Sequence, residues 1–498
     1  MRSRRARALA GIAAALVALG VAELMSALVG PDASPLQALG ATVVDHTPQW
    51  LREWVIETFG TADKAILFAS MLIVAVLVAA TAGIIERPTR PVGSAIFAVF
   101  GILAAAAALG RPDATWTAAL PALVGAAAGI VVLRLLTSRS TEPTDRRDFL
   151  RLAGIAAAVG AIAWVGGRWL GSNARNVSAD RAAQRLPTPA SPAPPIPADA
   201  DLRIGGVASY VTNNDDFYRI DTALILPQVS TQGWSLRIHG MVDRERTLTF
   251  ADLTARPAVE RLVTLTCVSN PVGGDLIGNA RWLGFPVADL LAEAGVHPDS
   301  DMVLSRSTDN FTAGTPLEVL TDGRDALIAI GMNGEPLPVA HGYPARLVVP
   351  GLYGYVSATK WLTDLEVTRF DRASAYWTQR GWSARGPIKT ASRIDVPRPS
   401  AKLSPGPVTV AGVAWAQHRG IDRVEVQVDD GPWLPARLSQ QYSTDTWRQW
   451  AYDWDAAAGP HTLRARATDR TGATQTADVA PVLPDGATGL PAVSVRVG

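Results

Sequence analysis

The stretch TLTCVSNPVGGDLIGNARW, Thr264 to Trp282, carries the one cysteine of a 498-residue chain, Cys267. A β-branched run, Val263 to Thr266, leads into it, and a loop of Ser, Asn, Pro and Gly follows. The spacing predicts a strand whose end presents the thiol to a cavity. A single cysteine cannot close an intramolecular disulfide, form a CxxC redox pair or build a zinc cluster. Three roles stay open: a small buried filler, a nucleophile, or a lone thiolate ligand to a soft metal whose other ligands come from a cofactor.

Charge and hydropathy narrow the setting. Lys and Arg number 46 against 45 Asp and Glu, a net charge of +1 that argues against nucleic acid as a partner. The first third is far richer in Ala, Leu, Val and Ile than the rest. Five apolar stretches, about 8 to 29, 65 to 85, 92 to 110, 114 to 136 and 149 to 170, approach or reach the roughly 20 residues of a spanning helix. The arginines of RSRRAR, ERPTRP and RLLTSRSTEPTDRR separate them asymmetrically and belong on the cytoplasmic side. Residues 1–171 thus read as an α-helical membrane anchor of five spans. With the N-terminus inside, everything after residue 170 lies outside the cytoplasm.

Within the outer loop from 31 to 62, PQWLREWVIETF places Trp50, Trp54 and Phe59 for a helix in the membrane interface, with a packed soluble helix an equal contender. Glu23 falls toward the outer end of the first span, where it is expected to reach water. No histidine lies inside a span, so a bis-histidine haem there is not supported.

At 144–151, Arg146-Arg147 followed by Asp148-Phe149-Leu150 resembles a twin-arginine export signal, which moves proteins already folded around a cofactor. Residues 172–200, with RLPTPASPAPPIPADAD running from Arg185 to Asp201, read as a Pro-rich semi-rigid linker without a core that lifts the remainder off the membrane. From 201 to 398 strands mix with short helices, an α+β pattern; FPVADLLAEAGV puts Val287, Leu290, Leu291 and Ala294 on one helix face. From 405 to 485 alternating runs with Asp-Gly turns read as an all-β, Ig-like sandwich.

A second dense segment runs from Ile330 to Val367. Asn333-Gly334 marks a hairpin, and Arg346 to Val349 starts a strand that Pro350-Gly351 ends. A loop of Gly and Tyr then leads to Lys360-Trp361. Small residues beside fixed cations suit an anionic, multi-ring ligand approached closely by backbone amides. Arg346 would grip a phosphate as a fork and Lys360 as a point charge, although singly each is more often a surface ion pair.

TLTCVSN with GNARWLG, MNGEPLPVAHGYPARLVVPGLYG, TKWL and YWTQRGW occur here in the order that characterises the sulfite oxidase family of molybdenum enzymes, and residues 201–485 resemble that family. The resemblance implies a sulfite-oxidase-type molybdopterin-binding domain with one Mo-molybdopterin per chain, Cys267 being the thiolate ligand of the metal. His341 and Arg346 would contact the pterin and its phosphate. Ala358, Thr359 and Lys360 would supply the phosphate end, and Tyr218 and Arg219 of DDFYRIDT the opposite wall. Ser307 of LSRSTDN would join them, with ambiguous spacing. Cys267, Arg219 and Trp382 form the implied catalytic set.

Two departures concern substrate. Val272 stands where sulfite oxidases carry an arginine, five residues past the cysteine, and Trp382 replaces their tyrosine. The family dimerises through its Ig-like domain, so a homodimer is one arrangement the sandwich allows. No CxxCH haem motif is present. Electrons are therefore expected to pass to a separate partner or a quinone.

The expected protein is a membrane-anchored, extracytoplasmic molybdopterin oxidoreductase transferring an oxygen atom to or from a small molecule. A sulfite dehydrogenase and a reductase of sulfoxides or N-oxides are the rival enzymes. A receptor or scaffold acting through the sandwich is the alternative from another class.

Overall fold

The computed structural model describes residues 4–30, 33–48, 51, 54, 55, 58, 59, 63–111, 114–138 and 146–498. Trp50, the segment 139–145 and the side chain of Arg146 lie outside the described residues, so the interface helix and the export motif are only partly covered. The chain divides into two compact units, residues 1–176 and 177–498.

The first unit is α-helical. Helices α1 (Arg4–Val29), α2 (Pro35–His46), α3 (Asp63–Ile85), α4 (Val92–Leu109), α5 (Leu120–Ser138) and α6 (Arg146–Ala174) follow one another. Among the described residues, five helices of this unit, all but α2, are long and apolar enough to cross a membrane. Small residues set how closely they pack. A Cβ added to Gly20 of α1 would lie 2.3 Å from the Gly160 carbonyl oxygen of α6, and one on Gly125 of α5 would lie 2.5 Å from that of Ala18 on α1. Backbones in such contact tolerate only glycine at the crossing.

Glu23 does not reach water, contrary to the expectation from its position. It is 4% exposed and accepts hydrogen bonds from Ser26 (3.1 Å) and Ser34 (2.8 Å). Serine hydroxyls here replace the solvent a buried carboxyl would otherwise need.

The second unit opens with a short helix, α7 (Ser178–Ala183). The Pro-rich stretch after it is no free spacer. Its backbone pairs with the edge of the domain, Ala190 N–H to the Ala258 carbonyl (2.8 Å) and Glu260 N–H to that of Ser191 (2.9 Å). Proline leaves the carbonyls and the intervening N–H groups of an extended chain available, and an unpaired strand edge supplies the partners.

Ten strands build the α+β part: β1 (Ser235–Gly240), β2 (Arg246–Thr249), β3 (Val259–Thr266), β4 (Ile277–Pro286), β5 (Met302–Ser307), β6 (Thr312–Pro316), β7 (Leu327–Met332), β8 (Glu335–Pro336), β9 (Arg346–Val348) and β10 (Leu362–Thr368). One sheet runs β2-β1-β10-β5-β6, with β1 and β10 parallel; the other runs β3-β4-β7-β8, with β9 added on β7. Helix α8 (Phe250–Thr254) starts at a capping box between Thr249 and Asp252. Helix α9 (Val287–Ala294) buries Val287, Leu290, Leu291 and Ala294, the face its spacing predicts, and stops at Gly295 with φ 72°. Each of its Val and Leu side chains is worth about 1.5–3 kcal/mol of burial.

The sandwich is larger than the sequence pattern suggested. One sheet is β11 (Ala391–Val396), β13 (Gly406–Trp415), β17 (Arg448–Ala456) and β16 (Arg437–Leu438). The other is β12 (Lys402–Leu403), β19 (Ala492–Val497), β18 (Gly459–Asp469), β14 (Ile421–Val428) and β15 (Leu434–Pro435). Strands β11 and β19 lie outside 405–485, yet β11 pairs with β13 and β19 with β18 along their lengths. Pro397 and Pro399 break the pattern after β11, which hid it.

The sandwich also grips the cysteine strand. Thr264 N–H donates to the Asp445 carbonyl (2.9 Å), Trp447 N–H donates to Thr264 Oγ1 (2.8 Å), and Gln417 Nε2 donates to Thr266 Oγ1 (2.9 Å). The free edge of β3 is thereby covered, β4 holding the other.

Candidate functional site

Strand pairing carries through to Cys267. Thr266 stands opposite Ile277, and Cys267 N–H donates to the Leu276 carbonyl (2.9 Å). The side chain is buried. Burial pushes the thiol up from its ordinary range, against opposing hydrogen bonds from Ser269 and the charge of Lys360. An unliganded Cys267 is therefore a neutral thiol at pH 7.

The Gly- and Tyr-rich loop closes over it. A Cβ on Gly354 would sit 3.9 Å from the Thr266 carbonyl oxygen and 4.0 Å from the Tyr218 hydroxyl, which places all three together. Tyr218 stacks on Phe217 at 5.2 Å between ring centroids. Burial, then the neighbouring Cys267, push its phenol well above the usual range. Tyr353, also buried, is pushed up to about 12, mainly by burial.

Beside this lies a cationic cradle. Arg346, at the start of β9, is buried and donates only to backbone carbonyls: His341 (3.1 Å), Ala358 (3.4 Å) and Leu347 (3.4 Å). Its guanidinium lies 5.0 Å from the centroid of the Trp282 ring. Burial lowers it to about 10, still cationic at pH 7. Among the described residues no carboxylate pairs with it, and a buried charge ordinarily needs one. Lys360, just before β10, donates to Asp221 (3.3 Å) and the Ala340 carbonyl (3.1 Å); burial lowers it to about 8. Asp221 also receives Arg219 Nε at 2.8 Å.

His341 completes the cradle. Burial, with Lys360 and Arg346 nearby, holds it down to about 4, so it is neutral. Its Nε2 faces the Asn214 carbonyl oxygen at 3.0 Å and must carry the proton. Nδ1 is then a bare acceptor, and it is buried without any partner. Gly342, with φ 110°, lets the turn pass: a Cβ there would meet Lys360 at 3.1 Å.

Cys267, Tyr218, His341, Arg346, Lys360, Ala358 and Arg219 thus come together. Thr359 is tied to Ser305 (2.7 Å), whereas Ser307, two residues further along β5, stands opposite Leu362. Trp382 joins the site at one remove, its ring 5.7 Å from that of Tyr355. Arg448 of WRQW is in the sandwich and donates to the carbonyls of Ser439 (2.7 Å) and Ile421 (2.9 Å). Sequence reasoning passed over Asp221, Tyr353 and Trp282. Asp221 sits two residues after Arg219 in YRID, a spacing that in an extended chain puts both on one side.

Residues 223–377 match the oxidoreductase molybdopterin binding domain, and residues 392–465 match the bacterial Ig domain. Mitochondrial sulfite oxidase of Drosophila melanogaster is 30% identical over 301 residues, covering 51% of this chain and 52% of that protein. Sulfite oxidase of Arabidopsis thaliana is 30% identical over 288 residues, covering 47% of this chain and 72% of that protein. The sulfane dehydrogenase SoxCD of Paracoccus pantotrophus is 27% identical, with a TM-score of 0.49, covering 54% of this chain and 75% of that one. The chain spans about half the length of the fly relative. It belongs to the sulfite oxidase family of molybdopterin-dependent oxidoreductases, with a bacterial Ig domain following the cofactor domain.

The residues present fit that cofactor. A buried guanidinium without a carboxylate suits an anionic phosphate, and the orphaned Nδ1 of His341 suits an N–H donor such as a pterin carries. Among the described residues no three His, Cys, Asp or Glu side chains gather to hold a metal. Protein ligation would thus rest on few groups.

Proposed function

We propose that this chain is a membrane-anchored, extracytoplasmic oxidoreductase that transfers an oxygen atom to or from a small, weakly charged substrate, with Cys267 as the protein ligand of its molybdenum. The observation that carries it is the meeting of the sole cysteine with the uncompensated Arg346 and the bare acceptor of His341 in one buried site. When bound, the cofactor supplies two-electron redox chemistry with oxygen-atom transfer.

The chain's residues do the rest. Arg346 and Lys360 would hold the phosphate, His341 Nδ1 would accept from the pterin, and Asp221 balances Lys360 and Arg219. Cys267 would give up its thiol proton to bind the metal, so loading would release a proton at neutral pH. Tyr218, neutral throughout, offers a fixed O–H donor at Oη into the site. Val272 and Trp382 favour a substrate less charged than sulfite, a sulfoxide or N-oxide reductase being one such enzyme and a sulfite dehydrogenase the rival.

Metal analysis of the purified full chain tests this. One molybdenum per chain is expected; none after expression with ample cofactor supply would favour a scaffold.

The membrane reading is supported by side chains that are apolar on the outside of the bundle, among them Ile73, Leu77, Ile102, Ile155 and Ile162. The arginine pattern orients it with the second unit outside. Replacing Arg146 and Arg147 together by lysine keeps the topogenic charge and removes the guanidinium pair. The cofactor domain is then expected to stay inside. Protease digestion of whole spheroplasts checks this, and normal exposure of the domain would refute the export signal.

A further inference from the structure

Strands β18 and β19 are joined by a long excursion, residues 470–491, that leaves the sandwich and lies along the cysteine site. Pro484 accepts a hydrogen bond from Ser383 N–H (2.9 Å), next to Trp382. Lys389 Nζ donates to Asp485 (2.8 Å) and to the Gly486 carbonyl (2.7 Å). Gly486, with φ 98°, lies so close to Tyr353 that a Cβ would be 2.8 Å from its hydroxyl oxygen. Gly489 faces Val272 and Val479, each with a methyl 3.5 Å from where its Cβ would be. The excursion thus touches the loop after Cys267, the loop of Tyr353 and the segment of Trp382.

Its chemistry is one-sided. Residues 478–489 hold two aspartates and no lysine or arginine. Val479 is 88% exposed and Val272 38% exposed, a side-by-side apolar pair on the surface. The neighbouring Lys389 and Arg385 are each paired with a carboxylate, Asp485 and Glu318. A rim of this kind repels anions and offers an apolar molecule contact area.

We propose that residues 478–489 form the outer wall of the entrance to Cys267, and that Val272 and Val479 make this entrance selective for small uncharged substrates. The inference rests on the reading that substrate reacts beside Cys267. The Lys389–Asp485 pair ties this wall to the segment that follows Trp382.

Because the chain has one cysteine, the entrance can be probed without substrate. Full-length protein made without cofactor is treated with methanethiosulfonates that are neutral (methyl), cationic (trimethylammonium-ethyl) or anionic (sulfonato-ethyl), and Cys267 labelling is timed by intact mass. Val479→Arg and Val272→Arg are each expected to raise the anionic-to-cationic rate ratio about tenfold, the change expected from one charge-assisted contact. Asp485→Asn should speed all three reagents alike. In the loaded enzyme the arginine variants should raise kcat/KM for sulfite with an artificial acceptor, at unchanged molybdenum content. Unchanged reagent ratios in both arginine variants, with circular dichroism showing them folded, overturn the wall whatever the molybdenum content. Shifted ratios in a protein that never binds molybdenum support the wall and remove the proposed function instead.

Discussion

Replacing Cys267 with serine is expected to lower turnover at least about a thousandfold, some 4 kcal/mol at about 1.4 kcal/mol per decade. A hydroxyl is a harder and far less acidic ligand than a thiol in the same place. The change is nearly isosteric, and the backbone bond of Cys267 to Leu276 does not involve the side chain, so the strand end should persist. Pterin should still bind through Arg346 and Lys360. Turnover and X-ray absorption at the molybdenum edge check this together, the expected result being lost turnover with one sulfur neighbour fewer. Wild-type turnover with an unchanged spectrum would return Cys267 to the role of buried filler.

Arg346→Leu should separate cofactor retention from folding. In the cofactor-free protein the guanidinium is buried among carbonyls without a counter-ion, so its desolvation cost and its three hydrogen bonds oppose each other. Without cofactor the variant is therefore expected to unfold within about 4 °C of the unmodified chain, the shift of roughly 1 kcal/mol. Loss of one partner of a buried pair costs about 3–5 kcal/mol, so pterin retention should fall by roughly a hundredfold to several thousandfold. Pterin fluorescence after oxidation and thermal unfolding of both forms measure the two effects. Equal retention would show that Arg346 only braces the turn between His341 and Ala358.

Much of this architecture could be read from particular residues. Helix length follows from unbroken apolar runs, because a bilayer-length helix needs no tertiary context to be recognised. The α9 face follows from four spaced side chains. What escaped depends on partners remote in sequence. Pro397 and Pro399 look like the end of a strand region, yet β11 is recruited by β13, which no local pattern announces. The Pro-rich stretch before Leu202 lacks a core of its own, but its backbone groups find the edge beside Ala258 and Glu260. Glu23 looked solvated because serines from two different segments were needed to show that it is buried.

The site divides in the same way. Arg346 and Lys360 declared themselves by sitting in loops of small residues. Asp221 and the excursion from 470 to 491 did not, since a counter-ion or a wall is defined only by what it faces. Trp382, prominent in its motif, stands one ring away from the loop over the thiol.

The hold of the sandwich on β3 has a consequence for biogenesis. Thr264 and Thr266 take their outer partners from Gln417, Asp445 and Trp447, residues synthesised some 150 positions or more after them. A ribosome releasing the chain in order leaves the part of this edge next to Cys267, beyond the pairing of Glu260 with Ser191, bare until residues 417–447 have emerged. If Cys267 is the cofactor's ligand, as proposed, cofactor insertion is expected to be a late, post-translational event. A nascent chain stalled before residue 417 would present that edge to other strands, which makes the segment from 417 to 447 a checkpoint on maturation.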